Sequence, residues 1–304
     1  MAARPPVPSQ PRLSPEVDEN MTGHNGHFTV LGAGGFVGTH LARYLDEQGL
    51  AVSAPARGDQ TIFQRPLGHV IYCIGLTADY LARPFDTVEA HVSYFSRLLR
   101  DADYDSVVYL SSTRLYDSGG PFADENNDLI LNPADTRHLY DFSKGLGESL
   151  CNVCGDGRAR VARLSCVYAD DLSGDNFLHR LIAQALSQDH ITLETHLGSA
   201  RDYVHIDDVC DALIDIATRG TRLIYNVASG TNVTNRDLFN TIEHHTGCRI
   251  VATPPATADY SRAPFVDITA LREDFGQSPR DVRSALPALI AANRMAPEPR
   301  RAAS

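Results

Sequence analysis

No stretch of this 304-residue chain reaches the roughly 18 consecutive apolar residues that a membrane-spanning helix needs. The pattern therefore holds no membrane span. Basic residues are in the minority, 27 Lys and Arg against 38 Asp and Glu, for a formal net charge of −11. Without a basic run there is no electrostatic footprint for nucleic acid or an anionic membrane surface, and neither is an expected partner. Residues 1–26 are rich in proline and lack both a hydrophobic period and the apolar core of a secretory signal. They read as a disordered tail, as do residues 295–304. Cysteines at metal-site or disulfide spacing are missing as well: Cys73, Cys151, Cys154, Cys166, Cys210 and Cys248 are scattered, and the lone Cys151/Cys154 spacing has no second pair. No metal is expected; the thiols read as small buried apolar groups in a reducing, cytoplasmic compartment.

What the chain does contain is alternation. Short apolar runs at Phe28–Leu31, Ala51–Ala54, His69–Ile74, Ser106–Leu110 and Arg160–Leu164 read as strands. Helical spacing follows at Val37–Gln48, His91–Leu99 and Phe142–Val153. Strand–helix alternation predicts an α/β fold, a doubly wound parallel sheet covered on both faces. Residues 27–168 form the expected dinucleotide-binding domain. Residues 169–294 are more mixed and read as a smaller C-terminal substrate-binding lobe interleaved with it.

Between the first strand and the first helix lies a glycine-rich segment, Leu31 to Gly38. A pyrophosphate needs close backbone approach and the free N–H groups of a helix start, and Gly32, Gly35 and Gly38 suit both demands. The expected cofactor contacts are Gly32, Gly35, Phe36, Val37 and Gly38, with Ile74 and Gly75 after the third strand. The second strand ends near Ala56, where NAD-selective sites usually carry an acid. Arg57 follows, and its fork suits a 2′-phosphate, which favours NADP over NAD. The alternative leaves Arg57 as a solvated loop residue and gives the ribose to Asp59.

Tyr140 and Lys144 stand four residues apart on a helical stretch and so share a face. A cation beside a phenol favours the phenolate, and such a tyrosine can exchange a proton with an alcohol. Ser112 closes a strand where ligand crevices open in α/β sheets, in position to hold the reacting oxygen.

Taken together, these segments resemble the extended short-chain dehydrogenase/reductases, the NAD-dependent epimerase/dehydratase proteins that modify nucleotide sugars. The resemblance runs from about Phe28 to Leu289. It rests on the three glycines, the Tyr140/Lys144 pair, and Ser111-Ser112 four residues before Tyr116. Arg163–Tyr168, Asn176–Leu178, Arg201–Val209 and Tyr225–Gly230 resemble further family segments in the same order. The resemblance implies Tyr140 as acid/base, Lys144 as its tuner and ribose anchor, and Ser112 as the hydroxyl partner. It also implies Arg201 as a clamp on the substrate diphosphate, Asn176 as a backbone or diphosphate contact, and Thr113 and Cys166 as substrate neighbours. Asp202, His205, Asp207 and Asp208 read as loop anchors and caps of a helix beginning near Val209.

Departures narrow the reading. Thr113 and Arg114 occupy the positions where the family's 4,6-dehydratases place an acidic pair, so dehydration is not expected. Cys166 and His91 each stand where the family commonly has asparagine. The implied activity is epimerisation of a nucleotide-linked sugar through a transient ketone. The alternatives are an NADPH-dependent ketoreductase of a deoxysugar or natural-product pathway, and a non-catalytic dinucleotide-binding protein. The family's four-helix contact, made by the helix near His91 and the one carrying Tyr140, implies a homodimer.

Overall fold

The computed structural model describes residues 26–254 and 263–294. Both expected terminal tails, Gly26 apart, lie outside the described residues. A six-stranded parallel sheet is its centre. Strand β1 (Phe28–Leu31) is buried on both faces, which is why it reads as an unbroken apolar run. It pairs with β2 (Val52–Ser53) on one side and β3 (His69–Tyr72) on the other. Next to β3 come β4 (Ser106–Ser112), the strand Ala159–Leu164 and the strand Ile224–Val227, all parallel. The strand order therefore reverses between β1 and β3. Their C-terminal ends flank the crevice in which sheets of this kind bind ligands.

Helices cover both faces. Val30, Ile71 and Val108 point to one side, packing with Leu41 and Leu45 of helix α1 (Phe36–Glu47) and with Leu213 and Ile216 of the helix Ile206–Arg219. Val70, Tyr72, Val107 and Tyr109 point to the other, packing with Phe95, Leu98 and Cys151. Cys151 belongs to the helix His138–Cys154, which carries Tyr140 and Lys144. A second core joins the helices Phe177–Ser187, Asn235–Thr246 and Val282–Arg294.

Several boundaries differ from the sequence pattern for identifiable reasons. The apolar run through Ile74 leaves the sheet after Tyr72, because Cys73 and Ile74 pass against the Gly32 turn, with the Cys73 N–H donating to the Leu31 carbonyl at 2.8 Å. The helical stretch expected at His91 begins at Pro84, a residue suited to a first helical turn, and widens to a π turn over Glu89–Ser93 before ending at Asp101. The helix expected near Val209 begins at Ile206, capped by the imidazole of His205, one of the four residues read as its loop anchors and caps.

Candidate active site

At the crevice, β1 ends at Leu31 and the chain turns through Gly32, whose φ of +92° suits glycine. A Cβ on Gly32 would sit 2.8 Å from the Ile74 nitrogen, and one on Gly38 would collide with the Gly32 carbonyl. These two glycines are therefore required by the turn itself. Gly35 differs: it caps α1 with no side-chain hydrogen bond, and a Cβ there would meet nothing nearer than 3.5 Å. The space that its side chain leaves free belongs to a cavity of about 880 Å³, lined here by Gly35, Phe36, Val37, Gly38 and, across the crevice, Gly75. Gly32 and Ile74 stand behind this wall, and Arg57 is an exposed residue outside it. Asp59 caps the turn Gln60–Phe63, its carboxylate accepting from the Thr61 N–H at 2.8 Å.

The middle of the cavity holds Tyr140, which is 3% exposed. Burial raises the pKa of its phenol above the ordinary value, while hydrogen bonding with Ser112, the positive charge of Arg114 and hydrogen bonding with Thr77 pull it back in part. Ser112 also accepts from the Arg114 N–H at 3.2 Å, so capping of the short turn after β4 and a place beside the phenol coexist in one hydroxyl. Lys144 shares the helix face, yet its Nζ turns to the Leu110 carbonyl at 2.7 Å. Burial brings its pKa down to about 7, against the opposing charge of Glu148. A second cation, Arg114, also faces the phenol, with its guanidinium carbon 5.0 Å from the centre of the Tyr140 ring.

His91, at the position where asparagine was expected, is fully buried and meets the Tyr140 ring edge-on at 5.4 Å. The Leu76 N–H donates to its Nε2 at 3.1 Å, which leaves Nδ1 to donate to the Ser143 hydroxyl at 2.8 Å. Burial and the neighbouring Lys144 charge hold its pKa down to about 2, so the imidazole is neutral. It ties the loop after β3 to the helix of the phenol.

The far end of the cavity is built by the strand Cys166–Tyr168 against the strand Ala200–His205. This pairing brings together Cys166, an exposed residue, and Arg201, whose buried Nη1 has no hydrogen-bond partner. Asn176 lines the same end, with its amide already engaged: it accepts from the His179 N–H at 2.9 Å and donates to the Val167 carbonyl at 3.1 Å. Thr113 lies on the wall below Ser112. Asp202 anchors its loop through Ser165, Ser229 and the Thr231 N–H, and Asp208 pairs with Arg280.

Sequence reasoning missed Asp117, His138 and Asp141, all of which line this cavity, and gave Arg114 no place in it. Burial raises both carboxyls, and the nearby arginines pull them back in part. His138 Nδ1 accepts from the Asn132 N–H at 2.7 Å, so Nε2 carries the proton toward Ser118 at 3.2 Å. The available signal was position alone. Arg114 and Asp117 follow Ser112 closely, and His138 and Asp141 flank Tyr140. Among the described residues no group of three or more His, Cys, Asp or Glu side chains is placed to hold a metal ion, and no helix is long and apolar enough to cross a membrane.

Comparison with known proteins agrees with this architecture. A curated dTDP-4-dehydro-6-deoxy-D-allose reductase from a Streptomyces species is 22% identical over 302 residues, covering 84% of this chain and 93% of its own. Among solved structures, UDP-glucose 4-epimerase from Thermotoga maritima, with UDP-glucose, has a TM-score of 0.74 at 18% identity, over 88% of this chain and 98% of that one. RMD from Pseudomonas aeruginosa, complexed with NADPH, has a TM-score of 0.71 at 22% identity, again over 88% and 98%. At these identities the structures speak for the fold alone. The family profile that matches spans residues 28–228, from the first residue of β1 to just past the sheet's last strand. By that match the chain belongs to the NAD-dependent epimerase/dehydratase family.

Proposed function

We propose that this protein epimerises a nucleotide-linked sugar through a transient ketone, with NAD(P) as its cofactor. One observation carries the reading: a single cavity joins a Cβ-free helix N-terminus at Gly35 to the Tyr140 phenol and the Ser112 hydroxyl. The dinucleotide fits this wall, since the first N–H groups of α1 are free of a side-chain cap and the helix dipole favours a pyrophosphate there. When bound, the nicotinamide supplies the hydride acceptor and donor. Tyr140 takes the proton from the sugar hydroxyl and later returns it, and Ser112 holds the same oxygen. Lys144 anchors the ribose. At the far end, the unpartnered Nη1 of Arg201 is a donor suited to a diphosphate oxygen. Asn176 shapes that end through its backbone bonds, and Thr113 and Cys166 border the sugar. Residues 169–294 act as the lobe that closes over the substrate.

A second reading, a one-way NADPH-dependent ketoreductase, draws support from one place. Asp59 is engaged in capping, which leaves exposed Arg57 as the charged group suited to a 2′-phosphate. Incubation with nucleotide sugars and each nicotinamide cofactor separates the two. An epimerase interconverts the sugars with no net change in cofactor absorbance, whereas a reductase consumes NADPH one for one. Under either reading Arg57→Ala raises the KM for NADPH about tenfold, the loss of one charged hydrogen bond, with little change for NADH.

The assembly expected is a homodimer. Phe142, Leu146 and Val153 form one exposed stripe on the helix His138–Cys154, and Phe85 is exposed on the neighbouring helical stretch. Large apolar side chains grouped in this way favour a protein partner over water. Light scattering at micromolar concentration is expected to give twice the chain mass, and Leu146→Glu to halve it.

A further inference from the structure

We propose that Asp117 and Ser118 form the sugar-reading pair of this cavity, an acceptor beside a donor that together hold a free hydroxyl of the sugar ring. A nucleotide sugar that lacks this hydroxyl is then a poor ligand. The proposal rests on the reading that a nucleotide sugar occupies the cavity, and it names the groups that select the sugar.

The pair sits between the two ends of the cavity. β4 ends at Ser112, the short turn Thr113–Tyr116 follows, and Asp117 closes that turn, its N–H donating to the Arg114 carbonyl at 2.9 Å. Asp117 and Ser118 line the same cavity as Tyr140 and Arg201. Two cations act on the Asp117 carboxyl: Arg201 at the diphosphate end and Arg114 beside the phenol. The carboxyl is therefore in electrostatic reach of both ends, and a ligand that spans them passes it.

The other charged groups on this wall are committed elsewhere. Arg114 Nη2 donates to the Tyr80 hydroxyl and to the Arg137 carbonyl, both at 2.9 Å, and its Nε lies 3.3 Å from Asp141. Arg137 is paired with Asp135. Asp117, in contrast, is an exposed residue whose carboxylate has no hydrogen-bond or ion-pair partner among the described residues. The protein around it still displaces water and pushes its pKa up, while the two arginines pull it back toward the ionised, acceptor-only form. A carboxylate in this setting gains from a donor that a ligand supplies. Ser118 provides the complement. The Asn132 N–H donates to His138 Nδ1 at 2.7 Å, so Nε2 donates to the Ser118 hydroxyl at 3.2 Å and leaves the serine proton for a ligand. A sugar hydroxyl is donor and acceptor at once, and so satisfies both side chains.

Calorimetry with the full chain, in the presence of NAD or NADP, tests the pair. The probes are UDP-glucose, dTDP-glucose and GDP-mannose, each compared with its own free nucleoside diphosphate. Asp117→Ala is expected to weaken binding of the nucleotide sugar about 10- to 100-fold, the loss of a hydrogen bond to a charged group. The free diphosphate should bind as well as before or more tightly, because a negative charge acting on Arg201 has gone. Asp117→Asn, which keeps an acceptor without the charge, should fall between, and Ser118→Ala should lose about fivefold. The N–H of residue 117 that closes the turn survives each substitution. A ratio of sugar to diphosphate affinity that stays at the parent's value in Asp117→Ala, through equal losses or none, would overturn the proposal and leave the epimerase reading standing. A parent that binds no nucleotide sugar removes that reading and this proposal with it.

Discussion

Tyr140→Phe is expected to lower kcat by about 10² to 10⁴, the range a positioned proton-transfer group contributes, while nicotinamide binding is retained. The ring is 3% exposed, packed edge-on by Tyr80 and His91 and covered by Arg114, so phenylalanine fills the same space and keeps the wall intact. Only the oxygen that meets Ser112 and Thr77 is lost. Ser112 is no replacement, because its hydroxyl is far less acidic than a phenol. Cofactor binding by fluorescence quenching and turnover with the same preparation check both halves. A variant that turns over like the parent would remove the phenol from the chemistry.

Because burial raises the Tyr140 pKa, the phenol of the free protein is protonated near neutrality. The sign of the pH dependence follows. Oxidation of an alcohol needs the phenolate, so its rate climbs with pH as the phenol ionises. Reduction of a ketone needs the proton, so its rate falls across the same range. Opposite slopes in the two directions are the signature of one titrating group rather than of two.

The parts of the fold legible in the sequence are those dictated by burial along one segment. Phe28–Leu31 is recognisable because both faces of a central parallel strand are covered, and the glycines at 32 and 38 because no Cβ fits there. The four-residue spacing of Tyr140 and Lys144 correctly places them on one helix face. Spacing says nothing, however, about where a long side chain points. A buried ammonium must find acceptors, and Lys144 Nζ finds the Leu110 carbonyl on β4. A further cation facing Tyr140 comes from Arg114, 26 positions earlier in the chain, through a tertiary contact with no local signal. The same limit left the exact start of the helix at Ile206 open, since His205 stood among four residues read as loop anchors and caps, and an imidazole falls outside the usual set of capping residues. It also hid the π turn around His91, because a regular apolar period cannot register one inserted residue.

Glu148→Gln is expected to destabilise the fold by about 3–5 kcal/mol, the penalty for stranding one member of a buried ion pair. Glu148 lies one turn beyond Lys144 and is 6% exposed; Arg163, on the strand Ala159–Leu164, is 3% exposed. Arg163 donates from Nε and Nη2 to both carboxylate oxygens at 2.5–3.2 Å, and from Nη1 to the Tyr116 hydroxyl at 2.6 Å. Ser111, paired in register with Arg163, donates to the same carboxylate at 2.5 Å. A neutral amide keeps the shape but leaves a guanidinium in the interior with no counter-charge. If desolvation is the cause, the double variant Glu148→Leu/Arg163→Met should lose less stability than either Glu148→Gln or Arg163→Met alone, which urea unfolding of the four proteins would show. The effect reaches the active site as well. Glu148 is the leading charge opposing the fall of the Lys144 pKa, so its loss should discharge that ammonium at still lower pH and weaken its hold on a ribose. A Glu148→Gln protein that unfolds within about 0.5 kcal/mol of the parent, the ordinary range for surface changes, would show that the pair contributes nothing net.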